Sequence, residues 1–199
     1  RELDADTHTT VLIMYPLAIR ILSPIFGYFN AMIVATFIFS SLCAAVLYRV
    51  LEEFRMVREP LWSSIIFLFF PPRWVIYHSV GASEAPFLLF ILCAFYFYRK
   101  RSLLLMGLFC GLATITRIFG ILLFPAFLLS ELHRFGRACE WEPTRFFSRG
   151  LLAVVFKTGV ALLPIPVFLF LHFGLYYLRF GNFWAYFSQN ARFLSWVPL

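Results

Sequence analysis

The chain has 199 residues, of which 62% are hydrophobic and 14% are charged, and its mean hydropathy is +0.84. A soluble domain is about half apolar and about a quarter charged, so this composition excludes an ordinary soluble domain and favours a membrane protein. The formal net charge is +7, but most basic residues lie in short loops between apolar runs, a pattern that sets membrane topology and argues against a nucleic-acid-binding protein.

The apolar runs are continuous, without the alternation of barrel strands, and predict an all-α, polytopic transmembrane helical bundle. Six crossings are predicted, some short or broken, in the order 29–48, 61–78, 85–98, two arms of a hairpin over 102–132, and 150–178. The second crossing is expected to be broken, because Pro71 and Pro72 remove two backbone donors. Gly107 and Gly111 have the spacing of a close contact between helices.

The run 102–132 is interpreted as a hairpin because Arg117 lies near its centre. A single helix would place Arg117 in the middle of the membrane and carry one basic cluster to the outer side, whereas a hairpin keeps both flanking clusters inside. Each arm has only about 15 residues, or ~22 Å, against a hydrocarbon core of ~30 Å. The turn is therefore expected to be recessed and shielded by protein.

Three basic clusters set the orientation of the predicted crossings, and the positive-inside rule places them in the cytoplasm. They are Arg49, Arg55 and Arg58; Arg99, Lys100 and Arg101; and Arg134, Arg137, Arg145 and Arg149. Both chain ends then fall outside, together with Asp4, Asp6, His78, Ser83, Glu84 and Arg117. We treat residues 1–199 as a single transmembrane domain. The start at Arg1, without an initiator Met or a signal-peptide pattern, indicates a fragment of a longer protein.

Glu84 and Arg117 are the leading candidate site residues. An ionisable carboxylate this close to lipid is expensive, so Glu84 is a candidate functional residue. The alternative is that Glu84 pairs with Arg117 or Arg73 only to stabilise the bundle. Arg117 is interpreted either as a structural cation that caps carbonyl groups at the recessed turn or as an anion ligand, because a guanidinium binds phosphate through paired donors.

Other outer-side residues have weaker signals. His78 is an interfacial residue or, alternatively, a ligand or base. Asp4 and Asp6 are solvated loop acids or, in an outward-facing transferase, candidates for the general base. Trp184 and Tyr186 are typical of interfacial aromatic belts, with stacking on a sugar as the alternative. No metal-ligand or disulfide spacing is present: Cys43, Cys93 and Cys110 lie in apolar runs, and Cys139 lies alone in a polar loop.

Four segments, in order, resemble motifs of one enzyme family. They are Met14-Tyr-Pro-Leu-Ala-Ile-Arg20 with Ser23-Pro24, Phe69-Phe-Pro71 through Ser83-Glu84, Gly107 through Gly111-Leu-Ala-Thr-Ile-Thr-Arg117-Ile-Phe-Gly120, and Phe180-Gly-Asn-Phe-Trp-Ala-Tyr-Phe-Ser-Gln189. The family is the PIG-V-like membrane mannosyltransferases of the GT-C class, including their bacterial relatives. The chain departs from the family pattern at Ala82, Pro86 and Asn182. It also lacks the W-D-x-x-x-Y segment in which the family's catalytic acid is expected, so that segment either lies upstream of Arg1 or has diverged.

The resemblance implies a GT-C-like fold and transfer of a sugar from a polyprenyl- or dolichyl-phosphate donor to a glycolipid or glycan acceptor. It further implies transfer on the lumenal or periplasmic face, as in GPI-anchor biosynthesis, in an endoplasmic reticulum membrane or a bacterial inner membrane. The implied partners are the lipid bilayer, the lipid-linked sugar and the acceptor. No cofactor is implied, and a divalent metal stays open. The implied catalytic residues are Asp4, Asp6 and Glu84, and the implied substrate-binding residues are Tyr15, Ser83, Arg73, Arg117 and Gln189.

The hypothesis is an inverting sugar transfer, in which an outer carboxylate takes the acceptor proton and Arg117, together with Arg73, stabilises the departing phosphate. Glu84 and Ser83 would shape the cavity or bind a sugar hydroxyl. Two alternatives stay open. A transporter or flippase would show the same broken helices and intramembrane charges, and a non-catalytic subunit of a glycosylation complex would explain the missing acid-bearing segment.

Overall fold

The computed structural model describes residues 12–69, 82–140, 149–181 and 183. These residues form helices and no strand, which confirms the all-α prediction for this part of the chain. The helices are α1 (Met14–Phe26), α2 (Tyr28–Glu53), α3 (Pro60–Phe69), α4 (Glu84–Arg99), α5 (Leu103–Thr116), α6 (Leu123–Ala138), α7 (Arg149–Leu162) and α8 (Pro164–Phe180), with a 3₁₀ turn at Ile118–Leu122 between α5 and α6.

Three stretches of the described chain are long and apolar enough to cross a membrane. They are Tyr28–Glu53, Ile118–Ala138 and Gly150–Leu178. Shorter apolar helices are Met14–Phe26, Pro60–Phe69 and Leu103–Thr116. These lengths are consistent with a membrane protein, whereas the six crossings stay a prediction. The predicted break at Pro71 and Pro72 lies outside the described residues.

Helix α1 has no counterpart among the predicted crossings. Pro16, Arg20 and the Ser23-Pro24 pair interrupt its hydrophobic pattern, and Pro24 lies inside the helix. The chain then turns at Gly27, whose φ of 73° a residue without a Cβ adopts readily. Tertiary packing therefore stabilises a helix that local propensity disfavours.

Helix α5 lies at the centre of the described bundle, in contact with α4, α7 and α8. A Cβ on Gly107 would overlap the carbonyl oxygen of Ala161, and one on Gly111 would stand 2.9 Å from the carbonyl oxygen of Pro164. The two glycines therefore bring α5 against the junction of α7 and α8, as their spacing predicts. Around this contact lies the main core, which includes Phe90, Ala94, Met106, Cys110, Phe127, Leu162 and Ile165.

The chain reverses direction between α5 and α6. At one end of this pair Arg101 Nη1 donates to Glu131 Oε1 at 3.0 Å, so the start of α5 and the last turns of α6 are neighbours. At the other end the 3₁₀ turn joins the two helices. The chain thus reverses at Arg117, where its helix is interrupted, as in the predicted hairpin, whereas the two arms as membrane crossings stay a prediction.

Candidate functional site

Arg117 occupies the interruption between α5 and the 3₁₀ turn. Its backbone is extended, with φ −147° and ψ 136°, while its N–H still donates to the Ala113 carbonyl at 2.9 Å. The next turn folds tightly over the end of α5, because a Cβ on Gly120 would stand 2.5 Å from the backbone nitrogen of Thr114. A glycine at this position lets the turn pack directly on the helix and leaves Arg117 at the exposed edge of the reversal.

Glu84 begins α4 and meets Arg117 there. Arg117 Nη1 donates to Glu84 Oε1 at 2.6 Å. The exposed fractions of the two side chains are 35% for Arg117 and 21% for Glu84, so the pair is neither fully buried nor fully solvated. A carboxylate in the first turn also interacts favourably with the helix dipole. The contact matches the interpretation in which Glu84 pairs with Arg117 and stabilises the bundle.

The same geometry leaves binding capacity at the pair. A guanidinium carries five N–H donors in a planar fork, and the described contact uses Nη1. The Glu84 carboxylate likewise keeps an oxygen that the contact does not use. An oxyanion placed at the exposed edge of Arg117 would therefore find further donors, beside a carboxylate that accepts hydrogen bonds from hydroxyl groups.

The pair is recessed relative to the turn between α1 and α2. Helices α2 and α4 run in the same direction, since Phe39 packs on Phe90 at a ring-centroid distance of 6.3 Å and Glu53 pairs with Lys100. These contacts place Glu84 about six to ten residues of α2 below Gly27, or roughly 9–15 Å along the helix. The α1–α2 hairpin therefore extends past the Arg117–Glu84 pair on one side and forms a wall of the candidate site.

Tyr15 is on the inner face of that wall. Its hydroxyl donates to the carbonyl oxygen of Met32 at 3.1 Å and lies 2.8 Å from Thr36 Oγ1. The side chain is buried and within electrostatic reach of Glu84. These bonds attach α1 to α2, so Tyr15 has a clear structural role at the same level as the pair.

The structure therefore brings together Tyr15, Ser83, Glu84 and Arg117. Ser83 stands at the N-cap of α4 without a side-chain capping bond, and its carbonyl accepts the Phe87 N–H at 3.2 Å. The other predicted site residues, Asp4, Asp6, Arg73 and Gln189, lie outside the described residues, as do His78, Asn182, Trp184 and Tyr186. Within the described ranges no group of His, Cys, Asp and Glu could hold a metal ion.

Glu131 is a buried carboxylate that was not predicted from the sequence. Its side chain is 6% exposed and accepts from Arg101 at 3.0 Å, and Arg134 Nη2 lies 3.2 Å away. The available signal was a carboxylate within an apolar run, as for Glu84. Basic residues follow Glu131 closely, however, and that local pattern is typical of a solvated loop acid. This cluster holds the basic end of the α5–α6 pair together and lies at the end opposite Glu84.

His172 was missed as well. It is 1% exposed, and neither ring nitrogen has a hydrogen-bond partner among the residues that the structure describes. Its ring centroid lies 4.6 Å from that of Tyr176, with the two rings tilted by 57°. Because Gly111 meets Pro164 and Phe168, His172 lies one turn further along α8, towards the end of α5 that carries Arg117. The available signal in the sequence was a histidine within the apolar run of α8.

The opposite end of the bundle is basic and tightly paired. Lys100 pairs with Glu53, and hydrogen bonding to Glu53 raises the pKa of Lys100. The Arg99 guanidinium lies 4.9 Å above the centroid of the Phe54 ring, so the end of α4 is fixed against the end of α2. The predicted cytoplasmic clusters of these helices therefore share one end.

Comparison with protein-family models, with curated proteins and with solved structures finds no match to this chain. Its function is therefore argued from its residues and their arrangement.

Proposed function

We propose that this chain belongs to a membrane glycosyltransferase that moves a sugar from a polyprenyl- or dolichyl-phosphate donor to a glycolipid or glycan acceptor. The observation that carries the proposal is the Arg117–Glu84 pair, which is partly exposed and lies at a helix interruption, at the end opposite the basic loops. The resemblance of four ordered segments to PIG-V-like mannosyltransferases supports it. A GT-C-like bundle of six crossings and an endoplasmic reticulum or bacterial inner membrane belong to the same proposal.

Arg117 is assigned to the donor phosphate. As the bond between the anomeric carbon and the phosphate oxygen breaks, the electron pair and the negative charge pass to the lipid phosphate. A guanidinium that Glu84 already holds in place stabilises that charge without reorganisation. Arg73 adds a second cation in the proposed mechanism, and Tyr15, Ser83 and Gln189 bind donor or acceptor.

A carboxylate is assigned to the acceptor hydroxyl. The acceptor oxygen attacks the anomeric carbon from the face opposite the phosphate, and its proton passes to the carboxylate. Asp4 and Asp6 are the candidates for this base, with Glu84 as the third. Such a base contributes about 10²–10⁴ in rate.

A transport function is the second candidate. The interrupted helix at Arg117 favours it, together with the buried imidazole of His172, which has no hydrogen-bond partner within the described part of the chain. Transporters use broken helices and intramembrane ionisable groups at their substrate sites. In a transporter the Arg117–Glu84 pair would open and close around a substrate and no glycosidic bond would form.

The test is sugar transfer by the full-length protein in proteoliposomes, with a radiolabelled polyprenyl-phosphate mannose donor. Glu84→Gln and Arg117→Gln are compared with Glu140→Gln and Arg137→Gln, exposed residues at the opposite end that change charge in the same way. We expect transfer to fall about 10²-fold or more in the first pair, by removal of a charged group from the reacting centre.

Unchanged turnover in both Glu84→Gln and Arg117→Gln would remove the pair from the mechanism. Movement of the lipid-linked sugar across the vesicle membrane without any transfer would favour the transporter. Equal losses in all four variants would show a general effect of charge.

A further inference from the structure

A groove of about 490 Å³ lies between α2 and α3, near the basic end of the bundle. Its lining includes positions 42, 45, 46 and 49 of α2 and positions 61, 64, 65 and 68 of α3. Both sets follow the spacing i, i+3, i+4, i+7, so one stripe of each helix faces the groove. The groove therefore runs along the two helices and is not a pit at their ends.

Small side chains keep the groove open. Ala44 and Ala45 on α2 leave space opposite Ser64, which is buried in the floor. The Ser64 hydroxyl donates to the carbonyl oxygen of Pro60 at 2.9 Å, within its own helix. The serine therefore presents no unpaired donor to the groove, and the lining is apolar along nearly its whole length.

The rim of the groove is apolar and exposed. It includes the exposed side chains of Leu42, Leu61 and Ile65. In a membrane this rim would continue the surface that faces lipid, so the natural occupant is a hydrocarbon chain from the surrounding bilayer. A polar peptide would leave its backbone groups unpaired on such a surface.

Arg49 stands at the basic end of the groove, one turn beyond Ala45. Its guanidinium is exposed and pairs with Glu52 at 3.6 Å, a contact that stabilises little at such exposure. The Tyr48 hydroxyl donates to the same carboxylate at 2.6 Å and partly satisfies it. Arg49 is therefore available to an anion without a large loss of existing bonds.

The charge around this end favours an anion. Basic side chains outnumber acidic ones there, with Arg49, Arg55, Arg58, Arg99, Lys100, Arg101, Arg134 and Arg137 against Glu52, Glu53, Glu59, Glu131 and Glu140. Basic pockets between helices on the cytoplasmic side of a membrane bind anionic lipid head groups. The groove has one basic side chain in its lining, Arg49, and its apolar remainder gives a position for one tail.

We propose that the α2–α3 groove is a binding site for one anionic phospholipid. One acyl chain lies against the stripes of α2 and α3, and the lipid phosphate accepts hydrogen bonds from Arg49. The site is at the opposite end of the bundle from the Arg117–Glu84 pair and requires no sugar transfer, so it stands independently of the proposed function.

The test is native mass spectrometry of the full-length protein with phosphatidylglycerol and with phosphatidylcholine of the same acyl chains. We expect the wild-type protein to retain one phosphatidylglycerol in preference to phosphatidylcholine. Arg49→Gln should lower the affinity for phosphatidylglycerol about fivefold and remove the preference. Ala45→Phe fills the groove at an exposed position and should weaken retention of both lipids. Arg137→Gln is the control, since it removes one exposed arginine from the same end on another helix.

Three results would overturn the proposal. Equal retention of the two lipids by the wild-type protein would exclude a headgroup preference. Equal loss in Arg49→Gln and Arg137→Gln would indicate diffuse attraction without a site. Unchanged retention in Ala45→Phe would show that the tail lies elsewhere.

Discussion

Arg55 and Arg101 hold the backbone in the left-handed region, with φ of 49° and 65°. Each follows the end of a helix, α2 or α4, at a position where glycine is usual. A side chain in this conformation costs about 1–2 kcal/mol. The two arginines differ in what they contact, because Arg101 pairs with the buried Glu131 whereas Arg55 is exposed.

This difference gives a matched pair of variants. Arg55→Gly should raise the free energy of unfolding by up to about 1 kcal/mol, since it relieves the backbone and loses only an exposed side chain. Arg101→Gly should lower it by about 1–2 kcal/mol, because Glu131 loses one of its two arginines. Denaturant titration in detergent micelles measures both, and equal shifts in the two variants would contradict the role assigned to Arg101.

His172 gives a second prediction at the residue scale. A buried polar group without a partner costs about 1–3 kcal/mol, so His172→Leu should stabilise the protein by that order. His172→Gln keeps a polar group at the same place and should give no such gain. Thermal unfolding in detergent distinguishes the two variants. A loss of stability in His172→Leu would show that the imidazole has a partner in the folded protein.

At the scale of elements, the contact of α5 with α7 and α8 depends on a missing side chain. The Cβ of an alanine at Gly107 would overlap the backbone oxygen of Ala161, which has no freedom to rotate away as a side chain does. Helices α5 and α7 would therefore have to move apart, and the core that contains Met106 and Leu162 would lose its packing. The hairpin of α5 and α6 is supported by this packing.

Gly107→Ala is therefore expected to destabilise the protein by about 3 kcal/mol, the cost of a forced backbone shift in a packed core. Gly159→Ala is the control, because a Cβ on Gly159 has no atom within 4 Å and alanine favours a helix by about 0.5–1 kcal/mol over glycine. Unfolding by denaturant should move in opposite directions for the two variants. A shift of the same sign would mean that α5 and α7 do not approach so closely.

At the scale of the whole molecule, the described bundle has two chemically different ends. One end carries the basic clusters and the half-exposed Cys139, and the other carries the Arg117–Glu84 pair with Phe119 exposed beside it. Cys43, Cys93 and Cys110 are buried, so Cys139 is the native thiol of this set that a polar reagent reaches.

The two ends should label from opposite sides of a membrane. A membrane-impermeant maleimide should modify Cys139 only from the cytoplasmic side. An engineered Phe119→Cys in a Cys139→Ser background should react only from the other side. Sealed vesicles of known orientation provide the measurement, and labelling of position 119 from the cytoplasmic side would reverse the orientation proposed for the site.

The sequence was sufficient to predict the helical class and the reversal at Arg117, and it offered Arg117, beside Arg73, as an alternative partner of Glu84. All three follow from where charge interrupts apolar runs. The sequence was insufficient for α1, whose prolines disfavour a helix that Tyr15 and Thr36 stabilise by tertiary contact. Glu131, His172 and the α2–α3 groove were also missed. Their burial depends on which faces of distant helices meet, and no local pattern reports that.

The length of α5 has a consequence for access to Arg117. This helix has 14 residues, or ~21 Å, whereas an average hydrocarbon layer is ~30 Å thick. Because α4, α7 and α8 pack around α5, a membrane-spanning bundle would enclose the Arg117 end of this helix roughly 9 Å short of the far face of that layer. A polar substrate that reaches Arg117 from that face would have to descend through a water-filled path between helices, since irregular backbone at membrane depth persists only where protein buries it or where it lines such a cavity.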